Sequence, residues 1–146
     1  AHYEKVTSHG STLSKLVHSW VMARSNRSKS WHNFRKALMS DFKDIQGGTT
    51  SEGIHLGAMA GTIDLMQRCY LGIQMHEDKL IFNPMLPKEV SYMKMRIRYR
   101  NHWLKVQVNE NQLKITSEGG WTKKIKLHFN GSEKILKKED TIRWKF

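Results

Sequence analysis

The chain has 146 residues, enough for one domain or two small units, with 38% hydrophobic residues, five Trp and only two Pro, a composition that excludes a disordered class. No run approaches the roughly 20 apolar residues of a membrane span, and no signal-peptide pattern opens the chain. The net charge of +12 is uneven: residues 1–87 carry ten Lys/Arg against seven Asp/Glu, and residues 88–146 carry fifteen against six.

In the first half, apolar residues recur at helical spacing. "STLSKLVHSWVMAR" sets Leu13, Leu16, Val17, Trp20 and Val21 on one stripe, the pattern of an amphipathic helix. "RSNRSKS" interrupts it. "SWHNFRKALMSDFKDI" restarts it, with Ser30 as N-cap and Trp31, Phe34, Leu38, Phe42 and Ile45 on one side. A third helix is predicted from about Ser51 to Tyr70, and the Trp and Met residues of these helices read as core. Cys69, the single cysteine, has no internal disulfide partner and reads as a small buried side chain in a reducing, cytoplasmic compartment.

After "GIQMHED" the period changes to two. "YMKMRIRYR" alternates Tyr92, Lys94, Arg96, Arg98 and Arg100 with Met93, Met95, Ile97 and Tyr99, and "HWLKVQV", "QLKIT", "KIKLHF" and "TIRWKF" behave alike, with turn signals at "NENQ" and "NGS". Six or seven short strands in an antiparallel sheet or sandwich are predicted. The boundary with the helices falls between residues 79 and 80, and "FNPMLPKEV" is the connector. Lysines and arginines take the outward strand positions, which gives the C-terminal charge surplus a local cause. A basic nucleic-acid-binding module is the competing explanation of that charge. The strands show no aromatic stacking platform of the kind single-strand binders use, so neither nucleic acid nor a membrane is the expected partner.

Two glycine- and hydroxyl-rich stretches carry the chemistry. "TSHGSTLS" leads into the first helix through Gly10, Ser11 and Thr12. "DIQGGTTSEGIHLGAMAGT" leads into the third through Gly47, Gly48, Thr49 and Thr50, with Thr49 and Glu52 spaced as a capping box and His55 in the first turns. Thr50 or Ser51 could be the cap instead. Gly53, Gly57 and Gly61 follow at four-residue spacing, a cost of about 3 kcal/mol in helix propensity that makes sense where a backbone or ligand comes very close. Hydroxyls, glycines and helix N-termini suit an anion; a tightly packed helix start with a core histidine is the other account of the same residues. No Cys/His metal spacing, phosphate-binding GxxxxGK[ST] loop or Gly-x-Ser-x-Gly elbow occurs.

Taken together, "HYEKVTSHGSTLSKLVHSWVMAR", "ALMSDFKDIQGGTTSEGIHLGAMAGTIDLMQRCY" and "LIFNPMLPKEVSYMKMRIRYRNHWLKVQV" resemble the C-terminal end of glycoside hydrolase family 65. That family holds inverting α-glucoside phosphorylases of the maltose, trehalose, kojibiose and nigerose type, along with some trehalose hydrolases. Lys5 stands where related sequences often have proline. The resemblance implies an α+β fold: residues 1–79 as the last helices of an (α/α)6 barrel, residues 80–146 as a small antiparallel β-sandwich. Such a piece is a fragment, completed by the remainder of the same polypeptide, with apolar barrel-facing surfaces that favour association, including homo-oligomers. The resemblance also implies phosphate contacts at Ser11, Thr12, Thr49, Thr50 and His55. Inorganic phosphate is then a co-substrate beside a disaccharide, with no cofactor and no metal. The family's general acid lies upstream, outside this chain, so the fragment is expected to be inactive alone. A trehalose hydrolase is the near alternative; it would offer a second carboxylate for water where a phosphorylase offers donors for an oxyanion.

Overall fold

The structure is a computed structural model that describes residues 11–43, 53–119 and 124–146. Two compact units divide between Cys69 and Tyr70, upstream of the expected boundary, because residues 74–82 already belong to a sheet.

The first unit is helical. Helix α1 spans Thr12–Met22, α2 Arg27–Leu38, the single turn α3 Ser40–Lys43, and α4 Leu56–Leu65, which widens into a π-helical turn over Met66–Tyr70. Ser11 caps α1, its side-chain oxygen accepting from the Leu13 N–H at 3.3 Å. Helix α2 is capped by Asn26, whose Oδ1 accepts from the Lys29 N–H at 3.0 Å, and not by Ser30, which is buried inside the helix. Asn26 wins because its oxygen sits before the first helical residue with extended backbone, where it reaches an orphan N–H. The Arg27 guanidinium donates to the Cys69 carbonyl at 2.9 Å. Cys69 itself is half-buried, and that burial pushes its thiol up from the usual range.

Small side chains form the seam between these helices. Along α1 the buried residues are Thr12, Leu16 and Ser19, followed by Ala23. The Ser19 hydroxyl donates to the Ser30 carbonyl at 2.7 Å, a bond that lies fully buried between α1 and α2. Ala37 and Ala58 are also buried. The expected apolar stripe is split: Leu16 lies in this seam, while Leu13, Val17, Trp20 and Val21 are exposed, as are Leu38 and Phe42. Trp20 is therefore not core, and Phe42 is 85% exposed. Close approach of helices requires small residues along the contact, so the large side chains project elsewhere. Ile45 lies outside the described residues.

The second unit holds two four-stranded sheets built from β1 (Gln74–Met75), β2 (Lys79–Phe82), β3 (Tyr92–Tyr99), β4 (His102–Asn109), β5 (Gln112–Ser117), β6 (Ile125–Phe129), β7 (Ser132–Leu136) and β8 (Thr141–Lys145). One sheet runs β1-β2-β6-β7 and the other β3-β4-β5-β8. All neighbours are antiparallel except β2 and β6, which pair in parallel. Strand β2 comes just before the expected connector and shares only Phe82 with it, with Leu80 and Phe82 buried. The alternation is as read from the sequence: Met93, Ile97 and Tyr99 face inward, while Tyr92, Lys94, Arg96 and Arg98 face out. Leu104, Val106, Leu113, Ile115 and Leu127 are fully buried between the sheets, each side chain adding about 1.5–3 kcal/mol of burial. Phe129 of β6 meets Trp144 of β8 at 5.8 Å across the layers.

The β6–β7 hairpin turns on Asn130 and Gly131, both with positive φ, the backbone that matches the twist of paired strands. Outside the core, Glu118 binds Arg96 and Lys105, at 2.7 and 2.8 Å. These cations lie opposite each other on β3 and β4, and Glu118 relieves their like-charge contact.

Candidate oxyanion site at two helix starts

The glycines of α4 record how its helix meets α1. A Cβ at Gly57 would lie 3.5 Å from Leu13 Cδ2, and one at Gly61 only 2.0 Å from Leu16 Cδ2. Moving along α4 from residue 57 to 61 therefore moves along α1 from 13 to 16, so the two helices run in the same direction. Their N-termini lie on the same side. Ser11 stands two residues before Leu13, and His55 two residues before Gly57, so the two helix starts are neighbours. The stripe of glycines is thus explained for Gly57 and Gly61 by the approach of α1. Gly53 is no part of it: it precedes the helix, with φ of 100°, and helps turn the chain into α4.

His55 is the N-cap residue of α4 and does not sit within its first turns; its side chain makes no capping bond to the helix. It is instead gripped by Asp41 of α3. One carboxylate oxygen accepts the His55 backbone N–H at 2.9 Å, and the other lies 2.5 Å from His55 Nδ1. Two acceptor lone pairs would repel at that distance, so Nδ1 carries a proton and donates it to the carboxylate. The side-chain hydrogen bond from His55 holds the Asp41 carboxyl below its usual range. Asp41 was not among the residues singled out from the sequence. Nothing local signals it, since it lies fourteen positions before His55 in what reads as one long helix.

The remaining expected contacts divide. Ser11 is exposed, and its oxygen accepts the Leu13 N–H, which leaves the hydroxyl hydrogen for another acceptor. Thr12 is 6% exposed, and its position is part of the helix seam. Thr49 and Thr50, with the Thr49–Glu52 capping box, lie outside the described residues, as do Gly10, Gly47 and Gly48. Among the described residues no group of three or more His, Cys, Asp or Glu could hold a metal ion. No helix among them is long and apolar enough to cross a membrane.

The arrangement sets side by side a hydroxyl, an imidazole held at Nδ1 by a carboxylate, and the positive ends of two helices, which suit an oxyanion.

Comparison with known proteins fits this layout. The family model described as "Glycosyl hydrolase family 65 central catalytic domain" matches residues 1–64, and "Glycosyl hydrolase family 65, C-terminal domain" matches residues 73–136. An "Uncharacterized glycosyl hydrolase" of Mycobacterium tuberculosis is 43% identical over 97% of this chain and 11% of its own length. The "Trehalose 6-phosphate phosphorylase" of Lactococcus lactis is 30% identical over 85% of this chain and 16% of its own. The solved structure "Putative kojibiose phosphorylase from human microbiome" is 25% identical and superposes with a TM-score of 0.81 over 99% of this chain and 19% of that one. The chain thus spans less than a fifth of the length of each of these relatives. Helices matched by the central domain, followed by two sheets matched by the C-terminal domain, place this chain in glycosyl hydrolase family 65.

Proposed function

We propose that this chain is the phosphate-binding C-terminal part of an inverting α-glucoside phosphorylase that forms β-glucose 1-phosphate from a disaccharide. The observation that carries the reading is the shared direction of α1 and α4, which puts Ser11 and His55 at one end of the helical unit. In phosphorolysis, inorganic phosphate attacks the anomeric carbon from the face opposite the leaving sugar while a general acid protonates the glycosidic oxygen. The nucleophile arrives already charged, so its site needs donors and no base. His55 and the Ser11 hydroxyl are such donors, and Thr12, Thr49 and Thr50 complete the set. The general acid belongs to the remainder of the polypeptide, and the chain alone is inactive. Cytoplasmic location and homo-oligomerisation belong to the same reading, and phosphate is required as a co-substrate with no cofactor.

A hydrolase would need a second carboxylate to activate water, and Asp41 is a carboxylate at this end of the unit. Both its oxygens are engaged by His55, however, which makes it a support for the imidazole and a poor base for water. The named phosphorylases among the relatives favour the same choice. In the full-length enzyme, His55→Ala is expected to raise the KM for phosphate at least about tenfold, the loss of one hydrogen bond to a charged ligand. An unchanged phosphate KM would remove His55 from the site. Release of free glucose with no glucose 1-phosphate would assign the protein to the hydrolases.

A further inference from the structure

We infer that Asp41 is the positioning residue for His55, a role that rests on the phosphate-binding reading and deepens it. The carboxylate holds one residue by two handles. Oδ2 takes the His55 backbone N–H, fixing where α4 begins, and Oδ1 takes the ring at Nδ1, fixing how the imidazole is turned. With both oxygens on the same partner, main chain and side chain of His55 are set as one rigid piece.

Three consequences follow for the chemistry. The proton on Nδ1 is committed to Asp41, so Nε2 is the nitrogen left to meet a ligand. An imidazole that carries a proton on Nε2 as well is a charged donor to an oxyanion through that nitrogen. The ring is also held against rotation, so the donor is in place before the anion arrives. The Asp41 side chain is 14% exposed and that of His55 27%, so the carboxylate is the more shielded partner and the ring the more open one. Helix α3 is a single turn, Ser40–Lys43, tied to α2 by the Ser40 hydroxyl, which donates to the Ala37 carbonyl at 2.8 Å. That tie gives Asp41 a fixed base at the end of α2.

The test is a double-mutant cycle on phosphate kinetics in the full-length enzyme, comparing Asp41→Ala, His55→Ala and the pair. Asp41→Ala alone is expected to raise the phosphate KM about tenfold, as for loss of a hydrogen bond to a charged group, with kcat within about twofold. Asp41→Asn keeps one of the two acceptors and should recover part of that loss. In the His55→Ala background, Asp41→Ala should add nothing. An equal tenfold rise in that background, or a wild-type phosphate KM in Asp41→Ala, would overturn the assignment. So would a parallel fall in kcat and disaccharide affinity that Asp41→Asn does not relieve, since that marks a general loss of structure. His55→Ala read alone tests the phosphate site itself, so failure of that reading is distinguishable from failure of the role given to Asp41. Nitrogen-15 spectra of the His55 ring supply a readout independent of activity. The wild type should show Nδ1 protonated, and a ring protonated only on Nε2 would contradict the hydrogen bond to Asp41.

Discussion

The helical and sheet units are held together in different ways. Between β-sheets the buried side chains are large: Leu80, Phe82, Leu104, Leu113, Ile115, Leu127 and Leu136. Between helices they are mostly small: Thr12, Ser19, Ser30, Ala37, Ala58 and Thr62. Small residues permit close backbone approach but remove little apolar surface from water, and burial is worth about 25 cal/mol per Å². The large residues of the helical unit, including Val17, Trp20, Val21, Phe42 and Ile63, lie exposed. The sheet unit thus contains its own core. The helical unit spends its seam on geometry, placing two helix starts side by side, and most of its large apolar side chains stay exposed.

The largest effect should come from a backbone position in the sheet unit. Gly72 has φ of 60°, and a Cβ there would lie 1.9 Å from the Asn83 carbonyl oxygen. Unlike a side-chain tip, that oxygen cannot swing away; the same carbonyl's residue donates its N–H to the Gly72 oxygen at 3.0 Å. Gly72→Ala is expected to destabilise the sheet unit by about 3 kcal/mol, from the left-handed backbone and overpacking together. A urea titration resolving the two units checks it, and a change shared equally by both would blur the contrast between them.

A smaller effect concerns acid. The hydrogen bond from Lys105, joined by Arg96, holds the Glu118 carboxyl below its ordinary range. A carboxylate depressed on folding adds stability at pH above its unfolded value and loses that contribution as pH falls through the depressed folded value. The sheet transition should therefore weaken below the ordinary carboxylate range. Glu118→Gln should be less stable at neutral pH with a flatter acid slope, and an unchanged slope would discard the pair as a source of stability.

The smallest effect on folding is expected for Phe42→Ser, within about 0.5 kcal/mol for an exposed position. If the apolar helix surface drives association, the same substitution should lower self-association in sedimentation. A large loss of stability would mean that Phe42 is core after all.

How much of this was legible in the sequence depended on whether a pattern was local. The inward and outward positions of β3 followed from strict alternation over eight residues, and Asn130–Gly131 named its own hairpin. Strand β2 was missed because it has four residues, runs into Asn83–Pro84 and pairs in parallel with β6, more than forty positions away. The apolar stripe of α1 was real as a pattern, but only Leu16 of it is buried, since periodicity cannot say whether large or small residues face a neighbour. Asn26 was passed over because Ser25, Ser28 and Ser30 offer equally good capping oxygens nearby. At the site, Ser11 and His55 were visible from glycine and hydroxyl patterning, and Asp41 was not. Its bond to His55 joins residues fourteen positions apart that only folding brings together.

The most direct measurement is a crystal structure of the full-length enzyme with inorganic phosphate bound. The account predicts one tetrahedral anion within hydrogen-bond distance of both the Ser11 hydroxyl and His55 Nε2, with Asp41 still on Nδ1. An ordered phosphate beside the catalytic acid that touches neither Ser11 nor His55 would contradict it.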